Sequence, residues 1–214
     1  MIIEKISRKD ERTVIVQLNE GEPLFLSYEV LLRNGLRKND EISEDRFLLL
    51  IEENRKYYIK QKAISYLARR AHSIFEIKTK LMQKGYEKRL IEPVLAEMTE
   101  KNLLDDKVFA LLFAEEKIGS KLWGKSKLRA ELMRRGIGRE IIDEVLFEKF
   151  PYGNDIEKAL ILAEKKIETF SFKKLPVEKK KQKLFSFLSS RGYDYDTIKI
   201  VSEKLLNNKD NEEF

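Results

Sequence analysis

The sequence has no cysteine, which excludes a disulfide framework, a thiolate zinc site and a cysteine nucleophile. It has one histidine, His72, which excludes a multi-histidine metal site and leaves little for histidine acid–base catalysis. Glycine and proline are scarce, 9 and 4 in 214 residues, against chain averages of about 7% and 5%. Sandwiches and barrels rich in tight turns need more of both, so the composition leans helical. No apolar run approaches the roughly 18 residues of a membrane span. The opening MIIEKISRKDE has no apolar stretch behind a basic one, so no signal peptide is expected. The expected location is the cytoplasm.

What the chain has in quantity is charge, 37% of residues, beside 42% hydrophobic ones. Its length corresponds to one or two domains at roughly 150 residues each. The net charge is 43 − 37 = +6, and it is unevenly spread. Residues 1–59 hold 10 basic and 12 acidic residues, residues 60–150 hold 20 and 14, and residues 151–214 hold 13 and 11. The densest run has Lys117, Lys121, Lys125, Lys127, Arg129, Arg134, Arg135 and Arg139 against one acid, Glu131. Such a stripe is the electrostatic footprint of a polyanion partner, with a plain solvated helix face as the alternative. Trp123, amid these lysines, is read as a wedge between helices or a stacking surface.

The first quarter reads differently. Ile2 to Ile6, Thr13 to Leu18 and Leu24 to Ser27 are apolar or β-branched runs, and Asn19 to Pro23 is a turn signal, which predicts a three-strand antiparallel meander. Such a sheet must pack on something helical. A short helix follows from Tyr28 to Arg33, ended by Asn34-Gly35. Another starts near Ser43, and no glycine or proline separates it from Ile59 onward.

From there the chain repeats itself. Leu81 to Tyr86, Leu132 to Ile137 and Leu188 to Tyr193 share a pattern at offsets of 51 and 56 residues. The register holds through Ile91, Ile142 and Ile198, then Val94, Val145 and Val201. Each copy predicts a helix ending in glycine, an apolar residue that closes the cap, and a new helix. An earlier helix precedes each pair, marked by Ile59 and Ala63, by Val108, Leu111 and Leu112, and by Ile156, Ala159 and Ala163. Ser73 to Glu76 fits a capping box, Pro176 fits a first helical position, and Pro93 should kink its helix or delay the start. The expected fold is mainly helical: three tandem three-helix, helix-turn-helix-like repeats in an elongated body with a small N-terminal β-containing lobe. The expected divisions are 1–55, 56–104, 105–150 and 151–214.

Gly119 to Ser126 satisfies the phosphate-loop pattern G-x-x-x-x-G-K-[ST] in full. That chemistry needs a buried strand delivering the loop to a helix, so that backbone amides surround the phosphates. Phe109 to Ile118 has helical apolar spacing and carries Glu115-Glu116-Lys117, and no strand ending in aspartate follows to hold magnesium. Nucleotide binding is therefore not expected. Asp105 and Asp106 are read as helix-capping acids rather than a catalytic pair. His72 is read as a polar residue at a helix start, the lysines from Lys179 to Lys183 as a solvated face, and Phe170, Phe172, Phe185 and Phe187 as core. No catalytic set, cofactor site or metal site emerges.

The motifs resemble those of the RecX family of recombination regulators. Tyr66 to Ser73 with Glu76, Lys80, Leu81, Lys84 and Gly85 is similar to its opening signature. Leu103 to Asp106 with Phe109-Ala110 is similar to its second, and Trp123-Gly124, Leu128, Glu131-Leu132 and Gly136-Ile137 to its third. Ala71 stands where an acid is common, Asn102 where glycine is usual and Lys125 where proline is usual. The resemblance implies a non-enzymatic cytoplasmic regulator that binds filaments of the RecA recombinase on DNA and represses ATPase and strand exchange. It also implies weak, non-specific contact with single- or double-stranded DNA, and a monomer is expected. The alternative is a helix-turn-helix DNA-binding regulator, which should carry asparagine, glutamine or arginine on one exposed helix to meet base edges.

Overall fold

Three strands and ten helices make up the described residues of the computed structural model, which are 1–151, 154–171 and 175–206; of residues 154, 170 and 171 only the backbone is described. The chain divides into two compact units. The first is residues 1–72 with 76–104, and the second is residues 73–75 with the chain from Asp105 onward.

In the first unit β1 (Ile3–Arg8), β2 (Thr13–Leu18) and β3 (Leu24–Ser27) form the expected antiparallel meander in the order β1-β2-β3. Val14, Val16 and Leu18 alternate inward along β2, and Val16 pairs with Ile6 on one side and Leu24 on the other. The sheet finds its helical backing in α1 (Tyr28–Arg33) and in the first half of α2 (Glu44–Leu67). Ser27 and Ser43 cap these helices by accepting from the amides of Val30 and Arg46. Ile3, Val16, Leu26, Val30 and Leu50 share one core with Phe47, Ile51 and Tyr57. Asn54 of α2 ties the sheet further, accepting from the Ser27 amide at 2.7 Å and donating to the Phe25 carbonyl at 2.8 Å.

α2 runs unbroken for 24 residues, through residue 55. Its second half is the first helix of the first repeat, with Ile59 and Ala63 fully buried. α3 (Ile74–Gln83) and α4 (Lys88–Glu100) follow. Pro93 lies inside α4, whose start at Lys88 is not delayed. His72 stands just before α3, as expected, and is buried there: its Nδ1 lies 2.9 Å from the Arg70 carbonyl and its ring tilts against Tyr66. Burial pushes its pKa below the ordinary value.

In the second unit α5 (Asp106–Lys121), α6 (Lys125–Arg134) and α7 (Arg139–Lys149) form the second repeat, and α8 (Asn154–Ser171), α9 (Val177–Ser190) and α10 (Tyr195–Leu206) the third. The glycine turn is the same in all three repeats. The Leu81 carbonyl accepts from the amides of Lys84 and Tyr86, Leu132 from Arg135 and Ile137, and Leu188 from Arg191 and Tyr193. This double closure needs a left-handed residue, and Gly85, Gly136 and Gly192 supply it at φ +85°, +76° and +93°. Ile91, Ile142 and Ile198 are buried after it, as are Val94, Val145 and Val201.

The paired acids cap two helices. Asp105 accepts from the amides of Lys107 and Val108 at the start of α5, and Asp106 accepts from the Ile74 amide at the start of α3, at 2.9 Å. Burial raises the Asp106 pKa. Phe185 is exposed, in place of the core position expected, because it stands at the rim of a groove between α9 and α10 with Tyr195 edge-on at 6.0 Å. Phe187 packs partly against the core of the third repeat. The Phe170 side chain and Phe172 lie outside the described residues. No helix among the described residues is long and apolar enough to cross a membrane.

Candidate functional site

The basic stripe occupies the α5–α6 corner of the second repeat and the start of α7. Lys117 and Lys121 stand on the last turns of α5. Leu122 then turns left-handed at φ +50°, Trp123 follows, and Gly124 opens α6. Lys125, Lys127, Arg129 and Arg134 lie on α6, with Arg135 just past its end. Arg139 begins α7.

Leu128 and Leu132 fix the orientation of α6, for both are fully buried and lie one turn apart. The flanks are therefore basic, and each is organised by one carboxylate. On the first, Arg129 pairs with Asp143 of α7 at 2.7 Å and Arg139 approaches the same carboxylate at 3.8 Å. On the second, Glu131 receives three cations: Arg135 at 2.7 Å, Lys127 at 3.5 Å, and Arg134. Glu131 is buried, its side chain 7% exposed, while Arg134 is 71% exposed. Burial alone would raise the Glu131 pKa, but hydrogen bonds from Arg135 and Arg134 outweigh it and hold the carboxyl below the usual range.

Aromatic rings carry the other side of this cluster. The Arg135 guanidinium lies 4.3 Å from the Phe113 ring centroid. Trp123 meets Phe113 edge-on at 6.1 Å and packs against the core of the repeat. Lys117 approaches both rings, at 5.2 and 5.9 Å, and Lys127 lies 5.7 Å from Trp123. Trp123 is thus a half-buried wedge that supports two ammonium groups. Lys121 and Lys125 make no ion pair among the described residues.

The phosphate-loop pattern has no loop. Gly119 to Lys121 belong to α5. The amides that would surround a phosphate are spent: Gly124 donates to the Arg191 carbonyl at 2.8 Å and Ser126 to the Gly192 carbonyl at 3.1 Å. Backbone meets backbone here, since a Cβ on Gly192 would fall 2.2 Å from the Lys127 nitrogen. The same contact recurs one repeat earlier in the second unit, where Ser73 donates its hydroxyl to the Arg135 carbonyl at 2.7 Å and Phe75 covers Gly136. Ser73 and Gly124 are equivalent at an offset of 51, and Arg135 and Arg191 at 56. Among the described residues no cluster of His, Cys, Asp and Glu could hold a metal ion.

Three family models match the chain in order: the first three-helix domain of RecX over residues 60–98, the second over 105–146 and the third over 154–201. The chain belongs to the RecX family. Among curated RecX relatives, the regulatory protein RecX of Clostridium botulinum (strain Eklund 17B) is 30% identical over 95% of this chain and 94% of its own. That of Clostridioides difficile (strain 630) is also 30% identical, over 96% and 94%. A crystal structure of regulatory protein RecX matches the fold with a TM-score of 0.77 at 22% identity, over 97% of this chain and 98% of that one. RecX from Lactobacillus salivarius matches at 0.62 and 20% identity, over 72% and 97%.

Two departures from the RecX signatures have a local reason. Asn102, where glycine is usual, adopts φ +55°, and asparagine is among the few residues that tolerate the left-handed region. Lys125, where proline is usual, is the first residue of α6, a position proline favours because its missing N–H is not needed there. Sequence reasoning placed the stripe but missed Glu131 as its hub. Its spacing from Lys127, Arg134 and Arg135, four, three and four residues, was the available signal. The contributions of Asp143 to Arg129 and of Phe113 to Arg135 are tertiary and carried none.

Proposed function

We propose that this chain is a non-enzymatic regulator of the RecA recombinase, which binds RecA filaments on DNA and represses their ATPase and strand exchange. The observation that carries this reading is the match to regulatory RecX proteins over 95% of the chain, with all three repeats in order. The protein acts in the cytoplasm, as a monomer, with weak and non-specific affinity for single- or double-stranded DNA. The stripe of Lys117, Lys121, Lys125, Lys127, Arg129, Arg134 and Arg139 at the Trp123 corner is the surface that meets the partner.

Two features support a phosphate-contacting role for that surface. α6, KSKLRAELMR, has no asparagine or glutamine to read adenine edges, its arginines are engaged by carboxylates (Arg129 by Asp143, Arg134 by Glu131), and its lysines suit phosphates without base readout. Lys125, the exposed first residue of α6, makes no salt bridge among the described residues, so its ammonium can meet a phosphate. The test compares the wild-type protein with the combined variant Lys125→Gln, Lys127→Gln and Arg129→Gln in RecA-promoted strand exchange and in oligonucleotide binding across salt. The wild type should slow strand exchange. The variant should inhibit less and bind with a salt dependence shallower by up to roughly 2.1 to 2.7, since each of three lost phosphate contacts removes roughly 0.7 to 0.9 from the slope. Wild-type behaviour of the variant in both assays would place the partner surface elsewhere.

A further inference from the structure

The three repeats share a backbone plan, and so provide an internal comparison for each side chain. At the Glu131 position the first repeat has Lys80 and the third has Phe187. Lys80 lies over the Tyr66 ring at 5.3 Å, and Phe187 takes Arg191 over its own ring at 5.2 Å. Only the second repeat places a carboxylate at that position. An acid in the most basic stretch of the chain lowers the very charge that a simple polyanion patch would maximise. It is also buried, which costs desolvation unless the group is well paired. Glu131 is well paired, with Lys127, Arg134 and Arg135 converging on it and Arg135 also donating to the Glu131 carbonyl at 2.9 Å.

We propose that Glu131 is a positioning residue for DNA phosphates: the buried carboxylate gathers Lys127, Arg134 and Arg135 into one ordered set whose outer donors bind the nucleic-acid backbone. This rests on the polyanion reading of the stripe. Without a shared counter-charge, three cations this close would repel one another and spread into solvent. Binding would then have to order them, at the rotamer entropy that long basic side chains lose on immobilisation. With Glu131 in place that ordering is already done. Arg134 meets Glu131 through one guanidinium nitrogen and is largely exposed, so its other N–H groups remain available to a phosphate. Arg135, 23% exposed and held by Phe113, is the inner wall of the set.

The experiment is fluorescence titration of a mixed-sequence single-stranded oligodeoxynucleotide across salt, with the full chain. Glu131→Gln raises the net charge by one, so a patch working by charge alone predicts tighter binding. Positioning predicts the opposite: binding weaker by about three- to tenfold at low salt, the range that one or two re-ordered side chains imply, with the helical circular dichroism unchanged. A double-mutant cycle keeps the role distinct from a structural one. In the background Lys127→Gln with Arg134→Gln, the change Glu131→Gln should have no further effect on binding. Arg134→Gln alone, at an exposed side chain, should make the salt slope shallower by about 0.7, and this readout stands even if Glu131→Gln fails to fold. Tighter or unchanged binding by a folded Glu131→Gln overturns the proposal, as does an unchanged slope in Arg134→Gln. Wild-type protein that represses RecA without binding the oligonucleotide would also overturn it and assign the cluster to acidic protein side chains. Failure of the wild type to affect RecA at all is a separate outcome, which refutes the regulatory reading instead.

Discussion

Asp106 shows how a single residue can be legible in kind and not in detail. Its helix-capping role follows from an acid before an apolar run. That it caps α3 across space, through the Ile74 amide, does not. Its pKa is raised by burial, with the hydrogen bond from Ile74 opposing. A carboxyl with a raised folded-state pKa contributes stability below its unfolded pKa of about 3.9, and loses it as pH rises through the folded value. Asp106→Asn keeps an acceptor for Ile74 and removes the charge. It should therefore raise stability at pH 7 and match the wild type near pH 3 in urea denaturation. A loss at pH 7 would mean that the charge of Asp106 is needed for its cap. Glycine turns divide in the same residue-by-residue way. Gly85 and Gly192 have the same left-handed φ, but a Cβ at Gly85 meets nothing within 4 Å and one at Gly192 meets Lys127. Gly85→Ala should cost only the backbone strain of about 1–2 kcal/mol. Gly192→Ala must also push the neighbouring backbone away and should lower the denaturant midpoint clearly more; equal losses would contradict that close approach.

Among elements, the strands and most helix boundaries were legible because each rests on local chemistry: alternation along β2, a serine cap before α2, and a glycine after α3, α6 and α9. The hub at Glu131 was legible only in its spacing, since nothing local says that the side chain is buried. The pairing of Arg129 with Asp143 was not legible, because it depends on how α6 lies against α7. α2 is the element that serves two masters: Leu50 and Phe47 belong to the core under the sheet, while Ile59 and Ala63 belong to the first repeat. We expect the N-terminal lobe to be separable if the cut respects this helix. Removing residues 1–40 should leave α3 to α10 helical and cost circular dichroism only from α1 and the first half of α2, which loses its apolar cover. Collapse of most of the helical signal would mean that the repeats depend on the sheet.

For the whole molecule, the net charge of +6 is concentrated in residues 60–150, where 20 basic residues face 14 acidic ones. The first quarter is net acidic, so the polyanion contact we propose falls to the repeats and most of all to the second. The phosphate-loop pattern, complete in the sequence, is overruled at this scale by the third repeat, whose turn carbonyls take up the Gly124 and Ser126 amides. What remains at this corner is a basic surface, which suits the filament contact we propose. The measurement that bears most directly on this is the DNA-dependent ATPase of the cognate RecA recombinase, followed as this protein is titrated in from well below one copy per RecA. The account predicts a fall in ATPase at substoichiometric protein, with no hydrolysis by the protein alone; a rate unchanged at saturating protein would contradict it.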